Sequence, residues 1–231
     1  MLGFFFAVYS VEFPSAIICQ SCQNQKDFAP DYAIIRKNHY LCKRNLFLLK
    51  GWIMIKRYKQ YVPEIGQDTF VAETAVVIGD VVMGSECSIW YSAVVRGDVN
   101  KIRLGDRVNV QDCSCLHTSL GDAYIEIGND VTIGHNACVH GAKIKDHVLI
   151  GMGSTVLDNA VIGTGAVVAA GALVLQNTII GDYELWGGVP AKLIKRLSPE
   201  ASAKLIDTGI EHYVRHAHEY LSDEVEDIIA N

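Results

Sequence analysis

Three histidines, His117, His135 and His140, fall in two short segments, NVQDCSCLHTS and IGHNACVHG. Neutral imidazole is a good zinc ligand, and three imidazoles leave the fourth position of a tetrahedral ion open, as in catalytic sites. Zinc lowers the pKa of a water in that position to about 7 and so supplies hydroxide at neutral pH. The triplet therefore predicts a catalytic metal centre. Histidine also binds Fe²⁺ and Co²⁺, so the sequence does not select the metal.

The other histidines of the chain favour structural roles. His147 lies in the polar turn IKDHVLIG, where a hydrogen-bonded turn histidine is expected. His212 and His216 are four residues apart, but the glutamate of the H-E-x-x-H zinc motif is absent between them. We therefore expect both to be surface or interface residues.

The histidines are positioned by a repeat in which an aliphatic residue recurs every six positions. Helices give a period near 3.6 and half-buried strands a period of 2, so sustained sixes predict a solenoid. Each short strand would point its aliphatic residue inward, with Gly, Asn and Asp at the turns. The series reads Val71, Val77, Met83, Ile89, Val95, Ile102, Val108, Ile127, Ile133, Val139, Ile144, Ile150, Val156, Ile162, Val168, Val174 and Ile180.

The repeat also suggests how the histidines are arranged. Three hexapeptides make one turn of a triangular coil, so His117 and His135, which are 18 residues apart, are predicted to lie one coil apart at a similar angle. His140 is expected on the following face. A metal ion held between two neighbouring chains would collect the three rings more easily than one chain, which predicts a homo-oligomer.

The chain divides into three parts. Residues 54–190 are predicted to form the β-helix, and residues 191–231 a helix with an acidic tail. Ser198 and Pro199 provide a capping hydroxyl and a first-turn proline. The predicted apolar stripe, which would pack along the solenoid, comprises Ile206, Ile210, Tyr213, Val214, Ala217 and Leu221.

Residues 1–53 do not share the repeat, and we predict that they are not part of the fold and that the functional protein begins at Met54. Cys19 and Cys22 resemble half of a zinc ribbon, but a second Cys-x2-Cys pair is missing. The alternative, a small zinc site in this extension, is therefore the weaker reading.

Composition narrows the class of protein. The 231 residues are 50% hydrophobic with a net charge of −6, and residues 54–231 hold 14 Lys/Arg against 23 Asp/Glu, which disfavours nucleic acid as a partner. No apolar run reaches membrane-spanning length. Four of the seven cysteines occupy apolar positions of the repeat, so we predict reduced thiols and a cytoplasmic location. Thiolate ligation by Cys113 or Cys115, close to His117, stays an alternative.

Four motifs give the chain a family resemblance: RGD at 96–98, NVQD at 109–112, HT at 117–118, and IGHNACVHG. Together, over about residues 62–197, they resemble the gamma-class carbonic anhydrases. The resemblance implies an all-β solenoid, a left-handed parallel β-helix of hexapeptide repeats, with the C-terminal α-helix packed alongside; spacing alone does not give the hand. It also implies a homotrimer that reversibly hydrates carbon dioxide to bicarbonate by metal-bound hydroxide at its subunit interfaces.

The resemblance assigns roles at the subunit boundary. His117 and His140 of one chain and His135 of its neighbour would bind zinc. Arg96 and Asp98 would tie adjacent chains together by an ion pair.

It also assigns residues to the pocket. Asn109, Gln111 and Asp112 match pocket residues, and Gln111 would hydrogen-bond the metal-bound hydroxide or the substrate. Tyr183 would line the pocket wall. Val99 stands where the archaeal prototype carries glutamate, and the loop TSLGDAYIEIG lacks its long acid-rich insertion. Another group or buffer would then have to move the proton.

Two other functions stay open. Many hexapeptide-repeat proteins are acyl-CoA-dependent acyltransferases, and His117 or His135 could serve as the general base of one. A non-catalytic metal-binding trimer is the third possibility.

Overall fold

A computed structural model describes residues 54–222. The predictions for residues 1–53 and for the acidic tail after residue 222 lie outside the described residues. In chain order the elements are β1 (Met54–Lys56), β2 (Glu64–Ile65), β3 (Phe70–Val71), β4 (Val76–Met83), β5 (Ser88–Ile89), β6 (Val94–Leu104), β7 (Asn109–Val110), β8 (Cys115–His117), β9 (Ile125–Ile127), β10 (Val131–Ile133), β11 (Cys138–His140), β12 (Lys143–Ile144), β13 (Val148–Ile150), β14 (Thr155–Val156), β15 (Val161–Ile162), β16 (Val167–Val168), β17 (Leu173–Val174), β18 (Ile179–Ile180), β19 (Glu184–Gly187), β20 (Lys192–Arg196) and α1 (Pro199–Leu221).

Parallel pairing joins each short strand to the strand one coil further on and builds three faces. The first face holds β8, β11, β14 and β17 with the first halves of β4 and β6. The second face holds β9, β12, β15 and β18 with the second halves of β4 and β6. The third face holds β3, β5, β7, β10, β13, β16 and β19. This architecture is the predicted left-handed parallel β-helix of hexapeptide repeats, which is therefore confirmed.

The aliphatic residues of the repeat point inward and stack on their counterparts in the next coil. On the third face Ile133 pairs with Ile150, and Ile150 pairs with Val168. All three are fully buried. The other faces stack in the same way, for example Val139 on Val156 and Ile162 on Ile180. The predicted repeat is thus the hydrophobic core of the protein.

Each coil turns three corners. The first corner joins the third face to the first, the second corner joins the first face to the second, and the third corner joins the second face to the third. Asn136, Asn159 and Asp130 lie at the first, second and third corner respectively, each with a positive φ of 56–60°. Asn and Asp adopt this left-handed backbone more readily than other non-glycine residues. The predicted role of these residue types at the turns is confirmed.

One corner is irregular. A regular coil is 18 residues long, as between Thr164 and Asp182. At the second corner, β8 ends at His117 and β9 begins only at Ile125. The intervening loop lengthens this coil, so His117 and the residue above it, His140, are 23 residues apart.

The helix α1 packs against the third face. Its N-cap is Ser198, whose Oγ accepts a hydrogen bond from the backbone N–H of Ala201 at 3.2 Å, as the sequence predicts. Ile206, Ile210 and Ala217 bury its apolar side. Between the last coil and α1, the exposed strand β20 runs antiparallel to β19. Among residues 54–222, no helix combines the length and apolar character needed to cross a membrane.

Candidate metal centre

His117 and His140 lie side by side on the outer side of the first face. Their Cα atoms are partners in the pairing of β8 with β11, while the residues before them, Leu116 and Val139, point into the core. Nδ1 of His117 lies 3.1 Å from Nε2 of His140. Two nitrogens bound to one tetrahedral zinc ion at their usual bond lengths lie about 3.3 Å apart. The two rings therefore have the spacing of two donors to one ion.

His135 is not where the sequence spacing placed it. The prediction that His117 and His135 lie one coil apart at a similar angle is wrong, because the loop at the second corner lengthens that coil by several residues. His135 instead lies in the first-corner turn between β10 and β11, and its side chain is 42% exposed. Within residues 54–222, no three His, Cys, Asp or Glu side chains come close enough to hold one ion.

Each of the three histidines has its own carboxylate. Nε2 of His117 lies 3.3 Å from Asp98 Oδ1, and Nδ1 of His135 lies 2.8 Å from Asp112 Oδ2. Nδ1 of His140 lies 2.6 Å from Asp158 Oδ1. A carboxylate on one ring nitrogen holds the N–H there and leaves the other nitrogen as a ligand, as in many metal sites. The donor set thus fits a metal ion.

The charges around His117 favour its neutral form. Burial lowers the pKa of His117 below its ordinary value, and the charge of Arg96 lowers it further. Burial acts to raise the pKa of Asp98, but the hydrogen bond and charge of Arg96 outweigh it, so the pKa lies below the usual range. At neutral pH the pair is therefore a neutral imidazole beside an ionised carboxylate.

Arg96 and Asp98 are bonded to each other within the chain. Arg96 Nη1 donates to Asp98 Oδ1 at 2.9 Å and to Oδ2 at 2.8 Å. Arg96 is also the strand neighbour of His117 in the pairing of β6 with β8. Their predicted role in joining adjacent chains stays a prediction.

Asn109 and Gln111 form a buried chain of hydrogen bonds that ends at His135. Asn109 Nδ2 donates to Thr132 Oγ1 at 2.8 Å, and Gln111 Nε2 donates to Asn109 Oδ1 at 3.1 Å. The backbone N–H of His135 donates to Gln111 Oε1 at 3.0 Å. Gln111 and Asp112 thus contact His135 directly, and Asn109 reaches it through Gln111. Their catalytic role stays a prediction.

Tyr183 lies apart from all three histidines in the chain. It occupies the third corner, where its backbone N–H donates to Thr164 O. Its ring covers Gly165 so closely that a Cβ there would lie 2.4 Å from Tyr183 Cδ1, near Ser202 at the start of α1. Its predicted place in the pocket wall stays a prediction.

Two residues at this centre escaped the sequence analysis. Tyr213 of α1 places its hydroxyl 3.2 Å from His135 Nε2, but its place in the apolar stripe indicated packing only. Asp158 contacts His140 from one coil away, and the separation of 18 residues is the signal that could have found it.

The cysteines near the centre are poorly suited to thiolate ligation. Cys115 and Cys138 are strand partners on the outer side of the first face, two residues before His117 and His140. Burial raises the pKa of both thiols, so both favour the protonated form. Cys113 is exposed at the first corner.

His147, His212 and His216 have contacts that fit structural roles. His147 Nε2 lies 2.5 Å from Asp207 Oδ1 and so links the third corner to α1. The rings of His212 and His216 contact each other on the helix, with centroids 3.9 Å apart and an interplanar angle of 49°.

The parallel coils define a hexapeptide-repeat β-helix protein, and residues 141–176 match the family described as "Bacterial transferase hexapeptide (six repeats)". The chain is 38% identical to Protein YrdA of Escherichia coli, over 73% of this chain and 94% of that protein. It is 44% identical to a carbonic anhydrase of Geobacillus kaustophilus, over 64% of this chain and 80% of that protein. The chain belongs to the gamma-class carbonic anhydrase family.

Plant and structural relatives extend the comparison. Gamma carbonic anhydrase 2, mitochondrial, of Arabidopsis thaliana is 42% identical over 70% of this chain, which spans 59% of that protein's length. The crystal structure of a hexapeptide transferase family protein from Anaplasma phagocytophilum matches this chain with a TM-score of 0.66. The match covers 71% of this chain and 96% of that one, and the two sequences are 38% identical.

Proposed function

We propose that this protein is a metal-dependent carbonic anhydrase that reversibly hydrates carbon dioxide to bicarbonate. The observation that carries the proposal is the 3.1 Å approach of Nδ1 of His117 to Nε2 of His140. In each ring the other nitrogen contacts a carboxylate, so the two nitrogens that face each other are the ones available to bind an ion. Zinc is the proposed metal, and Fe²⁺ and Co²⁺ suit the same donors.

The third ligand is proposed to be His135 of a neighbouring subunit in a homotrimer. In one chain His135 lies at the first corner, away from the pair at the end of β8 and β11. A subunit interface on the outer side of the first face is supported by a row of strand partners there that are half-buried and uncharged. That row is Val76, Val94, Cys115, Cys138, Thr155 and Leu173.

The chain's own residues would orient the reaction. A bound metal ion would lower the pKa of a water molecule and supply a nucleophile at neutral pH. Gln111 and Asn109 would fix the turn that carries His135, and the Tyr213 hydroxyl would offer a hydrogen bond beside it. The position after the RGD motif is Val99, which is 40% exposed and has no group to accept a proton. Proton release would therefore depend on buffer, and turnover should rise with buffer concentration.

A second function is supported by the family description and by the Anaplasma relative, which both name transferases. An acyl-CoA-dependent transferase would use a histidine as general base, with His117 or His135 as candidates. A metal-binding trimer without turnover is the third possibility. The cytoplasmic location stays a prediction.

Metal content and carbon dioxide hydration, measured after anaerobic purification, separate these functions. We expect stoichiometric metal and turnover in the wild type, and loss of both in His135→Ala and His117→Ala. His216→Ala, on the outer part of α1, is the matched control and should keep both. Metal without turnover would favour the binding role, and coenzyme A binding without metal would favour the transferase. Full metal content in His135→Ala would refute its assignment as a ligand.

A further inference from the structure

The third corner shows how this solenoid normally uses an Asp or Asn side chain. At four of the five coils from Asp106 to Asp182, the Oδ1 atom accepts a hydrogen bond from a backbone N–H of the coil before it, at 2.7–2.9 Å, and the remaining coil has Thr164 at this position. The same Oδ1 atom lies over the Cα of a glycine in that coil. The four side chains are those of Asp106, Asn129, Asp146 and Asp182. Their role is to join neighbouring coils at the turn.

Asp158 has the same placement at the second corner but a different hydrogen-bond partner. A Cβ at Gly141 would lie 2.4 Å from Asp158 Oδ1, as a Cβ at Gly128 would lie 2.2 Å from Asp146 Oδ1. However, the Oδ1 of Asp158 lies 2.6 Å from Nδ1 of His140. A side chain that elsewhere joins the coils here contacts a candidate metal ligand.

This contact sets which nitrogen of His140 carries the proton. An ionised carboxylate only accepts, so Nδ1 of His140 must be the donor. Nε2 then keeps its lone pair, and that lone pair faces Nδ1 of His117 at 3.1 Å. Two ring nitrogens this close need a hydrogen or a metal ion between them, and the lone pair of His140 Nε2 is available to either.

We propose that Asp158 is a positioning residue that fixes the Nδ1–H tautomer and ring orientation of His140, so that Nε2 is held toward the metal. This inference rests on the proposed function. The other two carboxylates of the centre, Asp98 and Asp112, belong to the RGD and NVQD motifs. Asp158 lies one coil beyond His140 and belongs to none of the motifs that carry the family resemblance. Carboxylates that orient a ligating histidine typically change metal affinity about 10- to 100-fold.

The test compares three variants of the full chain with Zn²⁺ as the probe. Asp158→Ala removes the acceptor, Asp158→Asn keeps an oxygen acceptor without charge, and Asp146→Ala removes a matched turn side chain at the third corner. We expect the Zn²⁺ dissociation constant to rise about 10- to 100-fold in Asp158→Ala and by less in Asp158→Asn. Asp146→Ala should bind Zn²⁺ as the wild type does, although its thermal stability falls. Equal Zn²⁺ affinity in Asp158→Ala and Asp146→Ala would overturn the proposal.

A metal-free measurement keeps the inference distinct from the proposed function. In ¹⁵N–¹H correlation spectra of the apoprotein, His140 should carry its proton on Nδ1 in the wild type and in Asp158→Asn. Asp158→Ala should lose this preference, and an unchanged Nδ1–H tautomer there would overturn the proposal. If Asp158→Ala does not fold, the Zn²⁺ affinity of Asp158→Asn is the test. A wild-type affinity in Asp158→Asn would count against a role for the charge of Asp158. If the wild type binds no metal, the proposed function fails, and the tautomer of His140 alone decides the role of Asp158.

Discussion

The hydroxyl of Tyr213 lies 3.2 Å from Nε2 of His135, although the two residues are 78 positions apart in the chain. The helix α1 makes this contact possible, because the Tyr213 ring packs edge-on against Trp90 of the third face at a centroid distance of 5.3 Å. Burial raises the pKa of Tyr213, and the charge of Asp112 raises it further. The phenol is therefore protonated at neutral pH, and a metal ion bound to Nε2 would take the lone pair that faces it and leave the hydroxyl hydrogen for a group bound beside His135.

Tyr213→Phe should lower carbon dioxide hydration while leaving metal content and fold intact. The substitution keeps the ring against Trp90 and removes only the hydroxyl. The loss of one such hydrogen bond should reduce kcat/KM about 2- to 10-fold, measured by stopped flow. Tyr220→Phe is the matched control, because Tyr220 packs on the same aromatic cluster, and it should keep wild-type activity. Equal rates in the two variants would show that the Tyr213 hydroxyl has no part in the reaction.

The centre could be predicted from sequence only in part. The histidine triplet and the motifs around it identify the right segments, since residue type and spacing in these motifs are specific. The partner of His117 could not be found by counting hexapeptides, because the loop before Ile125 changes the length of that coil. Tyr213 could not be found either, because its place near His135 depends on how a distant helix docks on the third face.

Complementation between inactive variants tests whether the centre is shared between subunits. In a ring of subunits, each boundary would use His117 and His140 of one chain and His135 of the next. Co-expression of His117→Ala with His135→Ala at equal levels should restore about one quarter of the sites by random assembly. Hydration activity and bound zinc should both recover to that level.

The control for complementation is co-expression of His117→Ala with His140→Ala. Both variants damage the same side of the boundary, so no assembly of the two contains an intact site. Recovery in this control, or its absence in the first mixture, would contradict a site divided in the proposed way.

The fold was far more predictable than the site. The six-residue repeat gives the identity of the inward residues directly, because stacking in register requires an aliphatic side chain at that position in each coil. Val71 is an exception at the end of the solenoid, where it is only partly buried. Leu116 and Val110 fall in the irregular stretch where the repeat is lost in sequence, yet both are fully buried. Extra residues in a corner loop interrupt the six-residue spacing in the sequence, but the inward residues on either side of the loop still stack.

Core packing makes Ile150→Ala a strongly destabilising substitution. Ile150 is fully buried between Ile133 and Val168 on the third face. Removing its side chain leaves a cavity between stacked coils, so the free energy of unfolding should fall by about 2–5 kcal/mol in urea titrations. Ile179→Ala, at a side chain that is 72% exposed in the chain, should change it by less than about 0.5 kcal/mol. Similar values for both variants would contradict the stacked-core account.

Glu184 should make stability depend on pH in the acid range. Trp186 Nε1 donates to its carboxylate at 2.9 Å and the backbone N–H of Gly181 donates at 2.8 Å, and Arg196 lies 3.3 Å away. The hydrogen bond from Trp186, then that from Gly181, and to a smaller extent the charge of Arg196 lower the pKa of Glu184 below its usual 4.5. The folded state therefore binds fewer protons here than the unfolded state.

The stabilisation from this lowered pKa is full above pH 4.5 and is lost as pH falls through the lowered value. Glu184→Gln should reduce the free energy of unfolding at pH 7 by on the order of 1 kcal/mol. The difference from the wild type should shrink as the pH is lowered below 4.5, because the protonated carboxyl then resembles the amide. Urea titrations between neutral and acid pH measure this, with Glu126→Gln on the exposed side of β9 as the baseline for losing one carboxylate. A difference that stays constant across that range would mean that the charge of Glu184 does not stabilise the folded state.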